Sequence, residues 1–230
     1  MGSVYDGPNF KGDQARWLPL AFGTNVYSQA QRDAAWANLK SWFGWPWNRN
    51  WYYSGHGGAY DIGADNHVFG TNGLWVSSAL QPHSKAYLTS QQVKQEIGPS
   101  RFRFVFLDAC STAAGDWPAT FGIDKATHSI DYYNSTNTNP KRLRPAVFVG
   151  WNLDVGGQGW PDVYRSLDFQ KYWMPNWANS DPPLSLTRAI HDAAAGANYS
   201  PPGGLDNTLM FYGYADMTVE EYNHARDWSP

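Results

Sequence analysis

Two residues of this chain have the types and settings for nucleophilic chemistry. His56 stands in the run "SGHGG", Ser54 to Gly58, and Cys110 closes the run "FLDAC", Phe106 to Cys110. A thiol with an ordinary pKa of about 8.5 is only slightly ionised at neutral pH. An imidazole beside it takes the proton or stabilises the thiolate, which makes the sulfur an effective nucleophile. Acyl transfer by such a pair also needs donors for the developing oxyanion. A backbone N–H next to the histidine serves if no side chain crowds it, and Gly57 supplies one. Glycine there also permits a sharp turn out of a strand.

Cys110 is the only cysteine, which rules out an internal disulfide and a multi-cysteine metal site. On its own, a single cysteine reads as a small buried hydrophobe. Its position relative to His56 gives it another meaning, provided that the fold brings the two together.

The elements needed for that are legible. Asn50 to Ser54 reads as a strand, ended by glycine. "RFRFVFLDAC" begins by alternating and is continuously apolar from Phe104 to Leu107, the pattern of a strand buried on both faces. From 56 to 110 there is room for one crossover connection between parallel neighbours. Ligands of α/β sheets bind at the carboxyl ends of the parallel strands, where these two residues would then lie.

The rest of the chain fits the same class. "RWLPLAFG" (Arg16 to Gly23) reads as a first strand. Ala35, Leu39 and Trp42 mark a helix that Ser28 opens and Gly44 closes. "HVFGTNGLWV" reads as a hairpin turning at "TNG". "LTSQQVKQEIG" reads as a helix capped by Thr89 or Ser90. "RPAVFVGW" repeats the buried-strand character at Ala146 to Val149. Helices fit "DVYRSLDFQKYW" and "LSLTRAIHDAAAGA", the latter with Leu186, Ile190 and Ala193 on one stripe, and "NTLMFYGY" reads as a last strand. Strands alternating with helices predict an α/β sheet covered on both faces, in a single domain over 1–230 with an irregular N-terminal segment of about 15 residues. Tyr133 to Pro145 reads as a long loop.

Composition narrows the partners. A net charge of −3 without a long Lys/Arg cluster argues against nucleic acid, whose phosphates call for a basic face. No stretch approaches the roughly 18 apolar residues of a membrane span. The N-terminus lacks a signal-peptide pattern, which predicts a cytoplasmic protein if the chain is complete and a secreted one if a leader was removed.

A strand ending in "SGHGG", followed some fifty residues later by one ending in "DAC", resembles the caspase-like cysteine peptidases (clan CD). That superfamily includes caspases, metacaspases, gingipains, clostripain, separase and the CHAT domains. "FLDACSTAAG", then "PAVFVGWNLD" and "LTRAIHDAA", is most similar to CHAT domains, with their Ala-Cys-x-Thr-x-x-Gly run, Gly-x-Trp strand end and Ala-rich helix. The pattern covers roughly Arg16 to Tyr214, and the two strand ends are its specific part.

The resemblance implies a three-layer α/β/α sandwich around a mostly parallel sheet. It implies a thiol protease, an endopeptidase hydrolase, with His56 as general base and acid and Cys110 as nucleophile. The amides of Gly57 and Cys110 would donate to the oxyanion, and no third residue is needed to orient the dyad. Asp108 stands where metacaspases and clostripain carry the acidic residue of an Arg/Lys pocket, where caspases have glutamine and CHAT domains usually serine. A carboxylate there is complementary to a guanidinium, so cleavage after a basic residue is expected. Trp151 is expected either to line a neighbouring subsite or to sit in the core. The implied partner is a protein or peptide substrate.

Two other readings use the same residues differently. One is a catalytically inactive module that binds a protein through the same cleft; the other is a sugar- or peptide-binding surface made of the abundant Trp and Tyr. No cofactor is expected. "DIGADN", Asp61 to Asn66, offers oxygen ligands for calcium but lacks the full loop and terminal glutamate of an EF-hand, so it reads as a solvated loop. His67, His83, His128, His191 and His224 show no two-ligand metal spacing. Asp124, Asp131, Asp154 and Asp162 are expected in loops after central strands, and spacing gives them no partner.

Overall fold

The computed structural model describes residues 37, 41, 50–54, 57–58, 73–75, 87–97, 102–132, 145–152, 160–201 and 203–224. The fold is broadly α/β: a mostly parallel sheet of four strands, accompanied by helices. These strands are β1 (Asn50–Ser54), β5 (Phe104–Asp108), β6 (Val147–Trp151) and β7 (Leu209–Gly213), in that order. A second sheet holds β2 (Gly57–Gly58), β3 (Gly73–Trp75) and β4 (Tyr87–Thr89), with β3 antiparallel to both neighbours. The chain divides into two compact units. One comprises Met1–Arg16, Lys125–Val147 and Val155–Pro230, the other Trp17–Asp124 and Phe148–Asp154.

In the second unit, β1 and β5 run parallel with Asn50 opposite Phe104 and Ser54 opposite Asp108. Every residue of β5 and of β6 is buried, as a central strand covered on both faces requires. Burial also extends to Arg103, which is 2% exposed, so the early alternation of Arg and Phe does not mark a solvent face. Alternation does divide the aromatic residues of β1. Trp51 packs edge-on against Trp117 at 6.1 Å and Phe121 at 5.4 Å. Tyr52 instead packs edge-on against Phe106 at 5.5 Å. Each such ring pair adds about 1 kcal/mol beyond the area it buries.

Two helices of this unit are described over their whole length. α1 (Ser90–Ile97) starts directly after β4, which leaves Thr89 in the position before the helix. It buries Val93 and Ile97 and exposes Gln91, Lys94 and Gln95, the i, i+4 pattern of an amphipathic helix. α2 (Trp117–Thr120) is a single turn with proline in its first residues, where no amide donor is needed. Gly122 follows at φ 69°. The strand expected at 16–23 lies outside the described residues, as do Thr71 and Asn72 of the expected "TNG" turn, whereas Gly73 opens β3 instead of ending a turn. Of the helix expected from Ser28 to Gly44, Ala37 and Ser41 are described, and both are helical and exposed.

The first unit contains α3 (Trp160–Asn179), α4 (Leu186–Gly196), α5 (Leu205–Thr208) and α6 (Val219–His224). α3 buries Phe169, Trp173 and Trp177 at successive i, i+4 positions. α4 buries Leu186, Ile190 and Ala193, the stripe read from the sequence. Ser185 caps α4 by accepting from the Arg188 amide at 3.2 Å. Trp177 Nε1 donates to the Met217 carbonyl at 2.9 Å. Asp162, expected in a loop, falls within α3, which starts at Trp160, two residues before the helix read at "DVYRSLDFQKYW".

Candidate active site

β5 delivers Asp108 to the end of the sheet, and the chain then turns. The Ala109 amide donates to the Leu107 carbonyl at 2.9 Å. Cys110 is half-exposed in that turn. Ser111 follows at φ 59°, a left-handed conformation that costs a non-glycine residue roughly 1 kcal/mol. The surrounding hydrogen bonds have to offset that strain.

They come chiefly from the last residue of β6. The Trp151 amide donates to Thr112 Oγ1 at 3.2 Å, and the Trp151 carbonyl accepts from the Ala113 amide at 2.8 Å. The indole Nε1 donates to Asp108 Oδ1 at 2.7 Å. One residue thus fastens the turn on both sides of Cys110. The Thr112 hydroxyl lies 2.8 Å from the Leu107 carbonyl and 2.9 Å from that of Ala109, and donates back across the turn. Gly150 makes the approach possible, because a Cβ there would sit 2.8 Å from both Thr112 Oγ1 and the Phe148 ring.

The Asp108 carboxylate has donors from both neighbouring strands. Trp151 holds Oδ1, and the Tyr52 hydroxyl donates to Oδ2 at 3.3 Å. Asp108 is 6% exposed and Trp151 1%, whereas Tyr52 is half-buried. Tyr52 stands opposite Phe106 and Ser54 opposite Asp108, so the phenol reaches diagonally along one face of the sheet. Hydrogen bonds to an ionised acceptor are the stronger kind, and here they join β1, β5 and β6 through one side chain.

The expected site residues therefore fall as follows. Cys110, Asp108 and Trp151 come together at the ends of β5 and β6. Gly57 lies in β2, opposite Leu74. His56 is outside the described residues, as are Asp61 to Asn66, His67, His83 and Asp154. Asp124 is exposed outside regular structure, and Asp131, also expected in a loop, is exposed within a helical turn at 130–132. His128 stacks on Tyr132 with ring centroids 3.7 Å apart, and His191 faces Asp206 at 3.2 Å. His224 closes α6. Among the described residues, no group of three or more His, Cys, Asp or Glu gathers to hold a metal.

The sequence assigns no role to Tyr52, Thr112 or Gly150, although the last two lie inside the motifs "FLDACSTAAG" and "PAVFVGWNLD". Thr112 had a usable signal, since a short hydroxyl residue just past a strand end often bonds local carbonyls. Tyr52 had a weaker one: it lies two residues before Ser54, on the same side of a strand. Comparison with protein-family models, curated proteins and solved structures returns no match for this chain.

Proposed function

We propose that the chain is a cysteine endopeptidase with a caspase-like α/β/α sandwich, cleaving its protein or peptide substrate after an Arg or Lys residue. The observation that carries this reading is the register of β1 and β5. Ser54 pairs with Asp108 in a parallel ladder, and His56 and Cys110 each follow two residues further along the sequence. The half-exposed setting of Cys110, on a turn fastened at Asp108, Thr112 and Ala113, supports it further.

In this reading His56 takes the thiol proton and Cys110 Sγ attacks the scissile carbonyl carbon. The amides of Gly57 and Cys110 stabilise the oxyanion. The C–N bond then breaks, the proton passes from His56 to the leaving amine, and a thioester remains. Water, activated by His56, hydrolyses the thioester and restores the thiol. Asp108 provides the negative charge for the basic side chain.

Cys110 is the only thiol, so alkylation by iodoacetamide followed by intact mass reports on this site alone. Rapid labelling at pH 6.5, slowed sharply by His56→Ala, is the expected result. A thiol that reacts only after denaturation would overturn the reading. Cleavage of peptides ending in Arg, Lys or Asp then tests the pocket, and a clear preference for Asp would remove Asp108 from that role.

A further inference from the structure

We infer that Thr112 is a positioning residue for the oxyanion: its hydroxyl fixes the plane of the Ala109–Cys110 peptide and so sets the direction of the Cys110 amide. This role rests on the reading of Cys110 as nucleophile and of its amide as an oxyanion donor.

A hydroxyl has one hydrogen to give and two lone pairs. At Thr112 the Trp151 amide takes a lone pair, donating to Oγ1 at 3.2 Å. The hydrogen then turns to the carbonyls of Leu107, at 2.8 Å, and Ala109, at 2.9 Å. Leu107 has a second donor in the Ala109 amide at 2.9 Å, so the Thr112 hydrogen serves Ala109. Ala109 and Thr112 are each 1% exposed, and bulk water does not compete for this bond. The left-handed Ser111, at φ 59°, is what folds the chain back so that residue 112 reaches residue 109.

The Ala109 carbonyl and the Cys110 N–H belong to one planar, trans peptide unit, in which they point in opposite directions. A carbonyl held on Thr112 therefore turns the Cys110 N–H away from Thr112. Peptide planarity sets this direction independently of what the amide meets in the substrate-free protein. An amide already aimed has no reorientation to undergo when charge develops on the substrate oxygen, and that is the source of its effect on rate. Without the hydroxyl, the peptide plane is free to rock.

The test compares two reactions of the same sulfur in the full chain. Peptide cleavage passes through an oxyanion, whereas iodoacetamide loses iodide from a CH2 group and forms none. Thr112→Val removes the hydroxyl and keeps the shape. It should lower kcat on the best-cleaved peptide by about ten- to a hundredfold while KM stays within about threefold. Alkylation of the native protein should stay within about threefold of wild type. Thr112→Ser restores the hydroxyl and should return kcat to within about threefold of wild type. If Thr112→Val does not fold, Thr112→Ala removes the same hydroxyl at smaller volume and carries the same expectations. Equal losses in cleavage and alkylation would make Thr112 a support of the turn alone. An unchanged kcat without the hydroxyl, or a kcat still low in Thr112→Ser, would remove it from the oxyanion. Each of these overturns the inference alone, whereas a wild type that cleaves no peptide overturns the reading of Cys110 beneath it.

Discussion

The indole of Trp151 donates to the carboxylate of Asp108 at 2.7 Å, between the last residues of two neighbouring strands. Because Trp151 also binds Thr112 and Ala113 through its backbone, this one residue sets the turn that carries Cys110. Trp151→Phe is expected to keep most of the ring volume and leave Oδ1 buried without its donor. Hydrogen bonds to charged groups contribute about 1.5–3 kcal/mol, so a loss of roughly 2 kcal/mol in urea unfolding is expected. A loss below about 0.5 kcal/mol would show that Oδ1 is satisfied otherwise.

Thr112 makes the complementary fastening from within the turn. Thr112→Val keeps the shape and removes a hydroxyl that reaches Leu107, Ala109 and Trp151. A cost of about 1–3 kcal/mol is expected, and Thr112→Ser should recover most of it. If Valine is tolerated as well as Serine in chemical denaturation, the turn is held without the hydroxyl.

How much of this was legible follows from the range over which each signal acts. β1, the buried β5 and the stripe on α4 are local patterns of period 2 or 3.6, and they were readable at Asn50–Ser54, Phe104–Leu107 and Leu186, Ile190 and Ala193. α3 was read as ending at Trp173, yet it continues through Pro175 to Asn179. An internal proline costs about 3 kcal/mol, and the fully buried Trp177 beyond it supplies burial of comparable size. The hydrogen bonds of Asp108 span 43 and 56 positions in sequence and have no periodicity at all. The resemblance of "DAC" to a peptidase motif singled out Asp108, but only the strand register brings Tyr52 and Trp151 to it.

Gly150 tests the closeness of β6 to the Cys110 turn. A Cβ would lie 2.8 Å from both Thr112 Oγ1 and Phe148 Cε1. Gly150→Ala should therefore destabilise by about 1–3 kcal/mol through overpacking. In the Thr112→Ala background the cost should fall, because one of the two clashing atoms is gone. Strict additivity in the double mutant would show that Thr112 and Gly150 do not share this space.

Helix α6 offers a test in the other unit. Thr218 and Glu221 form a capping box at the start of α6: the Glu221 amide donates to Thr218 Oγ1 at 3.2 Å, and the Thr218 amide to Glu221 Oε2 at 2.8 Å. The other carboxylate oxygen accepts from the Tyr214 hydroxyl at 2.7 Å. Burial, reinforced by this hydrogen bond and by the negative charge of Glu221, pushes the Tyr214 phenol well above its ordinary value. A group whose folded pKa is raised contributes stability that is complete below its unfolded value, about 10 for tyrosine, and is lost as pH rises beyond it. Unfolding free energy should thus decline above about pH 10, and Tyr214→Phe should flatten that decline while costing stability at neutral pH. Glu221→Ala removes the cap and should cost about 1 kcal/mol at pH 7. An alkaline decline equally steep in Tyr214→Phe and wild type would assign it to other groups.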